Sequence, residues 1–203
     1  MLPTTLTPAA VSRVKSILFC IALIPLLRLF VFGFLDMLGA NPIEFVIRSF
    51  GTWALTFLLI TLTVTPLRKF TGANWLVQLR RMFGLYAFFY ALMHMLSYVW
   101  LDQWFDWAEI GKNIAKHPFI IAGLSSFVLL IPLAATSTNA MMKRMKRNWQ
   151  KLHYLVYPIA MLGVLHYFWL VKKDITQPVI YAVILTALLG LRLVWRLQQN
   201  TAK

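Results

Sequence analysis

The stretch RRMFGLYAFFYALMHMLSYVW, residues 80–100, decides the fold class of this chain. Two arginines open it, and an apolar run follows. At a rise of about 1.5 Å per residue, a helix of about 20 residues crosses a hydrocarbon core of about 30 Å. One histidine, His94, interrupts the run. The stretch therefore predicts a membrane helix with an ionisable side chain inside it, and such side chains are costly in lipid and tend to be functional.

Apolar runs of this kind recur along the whole chain. Of its 203 residues, 60% are apolar and only 13% are charged, which is too apolar for a soluble domain with a polar shell. We predict one all-α integral membrane domain, residues 1–203, built as a six-helix bundle. The predicted helices span residues 16–35, 49–66, 82–100, 118–136, 152–171 and 178–195. The pair Thr65-Pro66 is expected to end the second helix, because proline has no N–H for the helix ladder.

The charged residues predict the orientation of the bundle. The formal net charge is +14, but the cations lie in short clusters between apolar runs, which indicates membrane topology and not nucleic-acid binding. Alternate connections form a basic side with Arg13, Lys15, Arg68, Lys69, Arg80, Arg81, Lys143, Arg144, Lys146, Arg147, Lys151, Arg192, Arg196 and Lys203. The opposite, acidic side holds Asp36, Glu44, Asp102, Asp106, Glu109 and Asp174. Positive charge is retained in the cytoplasm, so both termini are expected there, in an inner membrane whose acidic side faces the periplasm if the host is Gram-negative.

Two of the span histidines are predicted to lie at the same depth. His94 and His166 lie about 12 and 14 residues along helices that both enter from the basic side, which is about 18 and 21 Å. Imidazoles from two parallel helices can ligate a haem iron from opposite faces. Cys20 is the only cysteine, so there is no covalent c-type attachment and any haem must be non-covalent. The alternative is that these histidines only make interhelical hydrogen bonds.

His153 lies at the basic end of the fifth predicted helix, where the third helix offers Arg80 and Arg81 but no histidine. It is a candidate for a second haem with an unconventional or missing sixth ligand, for contact with a flavin or quinone, or for a helix end. On an ideal helix it lies about 140° around the axis from His166. Pro158, between them, can kink the helix and change this phase.

Other polar residues carry weaker predictions. Arg80, Arg81 and the cluster 143–151 are candidates to hold a haem propionate, a flavin phosphate or an anionic lipid head group, and the alternative is topology signalling alone. Arg28, inside the first helix, either pairs with a propionate or snorkels to the interface. His117 precedes a proline on the acidic side and is expected to have no role.

Six segments spread along the chain carry a family resemblance. They are GANP at 39–42, RRMFGL at 80–85, HMLSY at 94–98, TSTNAM at 136–141, WQKLH at 149–153 and HYFW at 166–169. In these segments, and in length and loop placement, the chain resembles the MsrQ family, also called YedZ. That family comprises haem-binding membrane subunits of a periplasmic methionine sulfoxide reductase system, within the wider ferric reductase-like transmembrane group.

The resemblance implies a function in electron transfer. Electrons would come from the quinone pool, as ubiquinol or menaquinol, or from a cytosolic flavin reductase. They would pass to a periplasmic molybdopterin subunit, MsrP, which reduces methionine sulfoxide in oxidised envelope proteins. The resemblance also implies haem b and FMN, with the family's membrane histidines falling on His94, His153 and His166. No substrate chemistry is expected in this chain.

Two departures from the wider group bear on these expectations. Its oxidases carry two histidines on each of two helices, whereas the third helix here has only His94, so a second haem does not follow. They also carry a cytosolic FAD and NADPH domain, and here the reductant is expected to be membrane-borne or a separate protein. A b-type quinol or ferric reductase subunit with another partner, and a transporter or assembly protein without haem, stay open as alternatives.

Overall fold

The structure, a computed structural model, describes residues 3–201 apart from the side chain of Asn200. Lys203, which the charge pattern assigns to the basic side, lies outside the described residues. The fold is all-α, as predicted. The helices are α1 Pro8–Phe34, α2 Pro42–Thr71, α3 Val77–Ser97, α4 Trp107–Lys116, α5 Pro118–Ala135, α6 Asn139–Met145, α7 Arg147–His153, α8 Val156–Leu170 and α9 Thr176–Thr201. A 3-10 turn, Asn74–Leu76, leads into α3, and a π-helical turn, Tyr98–Asp102, extends it.

Within the described part of the chain, five helical segments are long and apolar enough to cross a membrane. They are Pro8–Phe34, Pro42–Thr71, Asn74–Asp102, Pro118–Ala135 and Thr176–Gln199. The fifth predicted helix, residues 152–171, is divided between the end of α7 and the whole of α8. With 15 residues, α8 is about 22 Å long and falls short of a hydrocarbon core of about 30 Å.

The division between α7 and α8 follows from Pro158. Because this proline has no N–H, the carbonyl of Tyr154 has no donor four residues along the helix. The turn tightens instead: Leu155 N–H donates to the Leu152 carbonyl at 3.0 Å, and Tyr157 N–H donates to the Tyr154 carbonyl at 3.2 Å. Regular α-helix is thus interrupted between His153 and His166, as the position of Pro158 predicted.

The prediction that Thr65-Pro66 ends the second helix is wrong, because α2 continues to Thr71. It ends there because Gly72 adopts a left-handed conformation, with φ of 71°, and its N–H donates to the Arg68 carbonyl at 2.9 Å. Asn41 caps the other end, and its side chain accepts from Glu44 N–H at 3.1 Å.

A guanidinium from α9 makes the internal proline of α2 tolerable. Pro66 leaves the Leu62 carbonyl without its helical donor, and Arg192 donates to this oxygen from α9. A second N–H of Arg192 donates to the Leu188 carbonyl at 3.0 Å, and the guanidinium lies 5.6 Å from the ring centre of Tyr157. Arg192 therefore satisfies a carbonyl that lipid cannot, and links α9 to α2 and α8.

The core is formed by two helix pairs, α2 with α3 and α5 with α8, with α9 packed against α2 and α8. The Phe57 ring of α2 stacks on Tyr90 and Tyr86 of α3, each at a centroid distance of 5.4 Å. The hydroxyl of Tyr90 donates to the Ala22 carbonyl at 2.6 Å, and that of Tyr86 to the Phe19 carbonyl at 2.9 Å. These two hydroxyls tether α1, which otherwise packs sparsely against the bundle.

Replacing Arg192 by methionine should lower the free energy of unfolding by about 1–3 kcal/mol, because it strands the Leu62 carbonyl in an apolar environment. Pro66→Ala restores a backbone N–H to that carbonyl, so Arg192→Met should cost less in the Pro66→Ala background. Denaturation in mixed detergent micelles measures the free energy of unfolding of the parent, the two single variants and the double variant. The control is Arg196→Met, at an exposed position one turn further along α9. If the effects of Arg192→Met and Pro66→Ala were additive, the proposed coupling between the two residues would be contradicted.

Candidate functional site

The structure brings together the two histidines that were paired from their depth. His94 lies near the end of α3 and His166 near the end of α8. Their ring centroids are 6.1 Å apart, and the ring planes are inclined by 75°. Two helices from different pairs therefore present their imidazoles to each other.

Each imidazole of this pair is held by a backbone carbonyl from a neighbouring helix. His94 Nδ1 lies 2.9 Å from the Ile47 carbonyl of α2, and His166 Nδ1 lies 2.6 Å from the Phe119 carbonyl of α5. A carbonyl can only accept, so we assign the proton to Nδ1 in both rings. Nε2 then keeps its lone pair. Metal-ligating histidines are typically oriented in this way.

A glycine one turn after each carbonyl makes room for the ring. A Cβ at Gly51 would lie 3.1 Å from Nδ1 and Cε1 of His94, and one at Gly123 would lie 2.7 Å from Nδ1 and 2.9 Å from Cε1 of His166. Real Cβ atoms essentially never approach closer than 3.0 Å. Both rings therefore lie against bare helix backbone, where the carbonyl oxygen is open to a second donor.

The two halves of the site repeat one spacing. In each half the histidine follows its carbonyl residue by 47 positions, and the glycine follows that residue by four. The sequence prediction missed the carbonyls and both glycines. A glycine inside a membrane helix is a usable signal, because it costs helix stability and marks a close approach, but the sequence does not say what approaches.

The site offers two imidazoles as metal ligands. Within residues 3–201, no group of three or more His, Cys, Asp or Glu side chains is placed to hold a metal ion. A metal between His94 and His166 would therefore need its other ligands from a prosthetic group. That chemistry suits a metal carried by a planar macrocycle with two axial positions.

His153 is separate from this pair and lies at the basic end of the bundle. Its Nδ1 is 3.0 Å from the Trp149 carbonyl, and its ring stacks on the Trp149 indole at 3.8 Å with an interplanar angle of 24°. Its Nε2 is buried, and no hydrogen-bond partner for it lies among the residues that the structure describes. The indole N–H of Trp149 donates to the Thr136 carbonyl at 2.9 Å, which holds the stack in place.

The two arginines of the opening stretch have different surroundings. Arg80 is exposed, whereas Arg81 is partly buried and donates to Asn139 Oδ1 at 2.5 Å and to Met142 Sδ at 3.6 Å.

The remaining candidates lie at the surface. Arg28 is exposed, with its guanidinium 4.7 Å above the Phe32 ring of its own helix. His117 is exposed at the junction of α4 and α5, with its ring 5.4 Å from that of Phe119.

Comparison with known proteins identifies the family. A family model described as "Ferric reductase like transmembrane component" matches residues 50–164. The relatives from Herminiimonas arsenicoxydans and Ralstonia nicotianae are 50% and 52% identical over 198 residues, which is 96% of this chain and 91% of each relative. The relative from Bordetella pertussis is 46% identical over 195 residues, 94% of this chain and 95% of its own. Each is a protein-methionine-sulfoxide reductase heme-binding subunit MsrQ.

The chain belongs to the MsrQ family. This confirms the resemblance drawn from the six segments. The family-model match covers Gly51, His94 and Gly123 and ends two residues before His166. No solved structure matches the chain.

In this MsrQ-family chain, the glycine contacts predict a graded series of alanine variants. Gly123→Ala should lower the free energy of unfolding by about 1–3 kcal/mol, because the new methyl group overlaps the His166 ring. Gly51→Ala should cost less, since its nearest contact is longer. Gly190→Ala is the matched control, because nothing lies within 4 Å of its Cβ position. Denaturation of the three purified variants tests the order, and equal effects would contradict it.

Proposed function

We propose that the chain is a haem b electron-transfer subunit of a bacterial inner membrane, serving a periplasmic MsrP-like molybdopterin reductase that repairs oxidised methionine in envelope proteins. The observation that carries the proposal is the pair His94 and His166, whose ring centroids lie 6.1 Å apart and whose Nδ1 atoms are each hydrogen-bonded to a backbone carbonyl. The printed names of the relatives support it, since they describe heme-binding subunits.

The spacing of the two rings fits a bis-histidine haem. A metal–imidazole bond is about 2 Å, and the ring centre lies about 1 Å behind the bonded nitrogen, so two trans imidazoles have centroids about 6 Å apart. The observed separation is 6.1 Å. When bound there, haem b supplies reversible one-electron transfer. His94 and His166 would hold its iron.

The residues around the pair orient these ligands and tune them. The Ile47 and Phe119 carbonyls accept from Nδ1, which keeps Nε2 deprotonated and makes the imidazole a stronger donor to a metal. Gly51 and Gly123 let the rings reach those carbonyls.

We propose six membrane crossings with both termini in the cytoplasm. In this topology the end of α7 and the whole of α8 act together as the fifth crossing, residues 152–171, interrupted by the tightened turn at Tyr154. Every acidic residue lies on one side of the six predicted helices, which supports the orientation. The carbonyls that hold the histidines belong to the first part of α2 and of α5, both of which begin on the acidic side. The haem would then lie near the periplasmic face.

We propose that His153, with Arg80 and Arg81, forms the side on which electrons enter. The buried, unpartnered Nε2 of His153 supports a bound group there, and the two arginines favour an anionic one. FMN, a haem propionate, or ubiquinol or menaquinol from the membrane are the candidate groups. A cytosolic flavin reductase is the alternative donor.

Replacing His94 or His166 by alanine should abolish the reduced b-type absorption band of the purified protein, because each variant removes one axial ligand. The protein is expressed with haem supplementation, and the band is quantified per polypeptide. His117→Ala, an exposed histidine of the same acidic end, should retain the band in full. Full haem retention in both His94→Ala and His166→Ala would contradict the assignment, and a colourless parent protein would favour the class of transporters or assembly proteins.

His153→Ala should separate electron entry from haem binding. The variant should keep the band of the His94–His166 haem, but anaerobic titration with a quinol and then with reduced FMN should reduce that haem at least tenfold more slowly than in the parent, which is a barrier increase of about 1.4 kcal/mol. Loss of half of the haem would instead indicate a second haem at His153. An unchanged rate with both donors would contradict the entry site.

A further inference from the structure

A cavity of about 730 Å³ lies between α1 and α3, next to the tyrosine tethers, and is separate from all three span histidines. The polar part of its lining contains two cationic side chains and two side-chain amides. The cationic and amide residues are Lys15, Gln78, Arg81 and Asn139, and the hydroxyl of Tyr86, which also lines the cavity, donates to the Phe19 carbonyl. The rest of its wall is apolar and includes Phe19, Leu23, Leu85 and Phe89.

The polar and apolar parts of this wall are ordered along the helices. Lys15 and Arg81 lie nearer the basic side than Leu23 and Phe89, which each follow eight residues later on the same helix. Eight helical residues span about 12 Å, and one leaflet of the hydrocarbon core is about 15 Å deep. The wall therefore passes from cations at the interface to apolar surface over the depth of one leaflet.

The two cations of the cavity are available to an anion. The side-chain ion pairs found within residues 3–201 both lie on the acidic side, and neither involves Lys15 or Arg81. Arg81 is held against the wall by its bonds to Asn139 and Met142, neither of which carries a charge. The neighbouring Arg80 is exposed and does not line the cavity.

We propose that this cavity binds one anionic phospholipid of the leaflet on the basic side. Its phosphate would lie between Lys15 and Arg81, where a guanidinium fork and an ammonium both complement phosphate oxygens. Its acyl chains would run along Leu23 and Leu85. The observations favour a lipid over a soluble phosphate compound, because most of the wall is apolar and the cavity is open. The proposal gives Arg81 a ligand other than the anionic group proposed beside His153, and it does not depend on the haem between His94 and His166.

Native mass spectrometry of the full chain, released from detergent with increasing phosphatidylglycerol or phosphatidylcholine, tests this proposal. The parent should retain one phosphatidylglycerol in preference to phosphatidylcholine. Lys15→Gln and Arg81→Gln should each weaken phosphatidylglycerol binding about fivefold, since one cation near an anionic lipid contributes about 1 kcal/mol. Arg13→Gln and Arg144→Gln are matched controls, because they remove the same charge from exposed positions of α1 and α6 outside the cavity.

A cavity-filling variant keeps the test independent of charge. Leu85→Trp leaves both cations in place but occupies the apolar part, so it should also displace the lipid, while size-exclusion chromatography verifies folding. Equal retention of the two lipids, or equal losses in the control variants, would overturn the site. FMN is added as a third probe. If FMN bound in an Arg81-dependent way and phosphatidylglycerol did not, the phosphate site would be assigned to a flavin and the lipid proposal would be overturned.

Discussion

Lipid offers no hydrogen bonds, so each polar group inside the membrane must find its partner within the protein, and much of this structure follows from that constraint. In most of its interhelical hydrogen bonds, the acceptor is a backbone carbonyl. Tyr86 and Tyr90 donate to carbonyls of α1, Arg192 donates to a carbonyl of α2, and the paired histidines donate to carbonyls of α2 and α5. In each case a side chain of one helix is hydrogen-bonded to the backbone of a helix packed against it. The helices are thereby fixed in axial register as well as in contact.

That register is what gives the histidine pair its geometry. The position of each ring is set by a carbonyl on another helix, so a slide of α2 past α3, or of α5 past α8, would move one imidazole relative to the other. A slide of one residue along a helix is about 1.5 Å. Metal–ligand distances tolerate only about 0.2 Å. Gly51 and Gly123 contribute to the same geometry. Because they have no side chain, the imidazole rings of His94 and His166 can approach within hydrogen-bond distance of the carbonyls.

Hydropathy and charge predicted a large part of this arrangement. The all-α class followed from the apolar runs. The pairing of His94 and His166 followed from their shared depth, which can be calculated because the rise of a helix and the thickness of a membrane are nearly constant. The helix through Pro66 did not follow, since its tolerance depends on Arg192, which is 126 positions away in sequence. The amphipathic α4 was also missed, because it is too polar to appear as an apolar run. Gly51 and Gly123 carry their meaning only once another helix is packed against them.

The two ends of the bundle differ in a way that bears on electron flow. At the acidic end, both histidines have their Nδ1 protons satisfied and face each other. At the basic end, His153 is stacked on Trp149 with Nε2 buried and unpartnered. An unsatisfied buried nitrogen costs about 1–3 kcal/mol, and a bound hydrogen-bonding group would remove that cost. The Trp149 indole, anchored to Thr136, keeps the imidazole from turning away to find a partner of its own. Within the described residues the fold thus leaves the Nε2 of His153 open to a bound group, which supports the proposed site of electron entry.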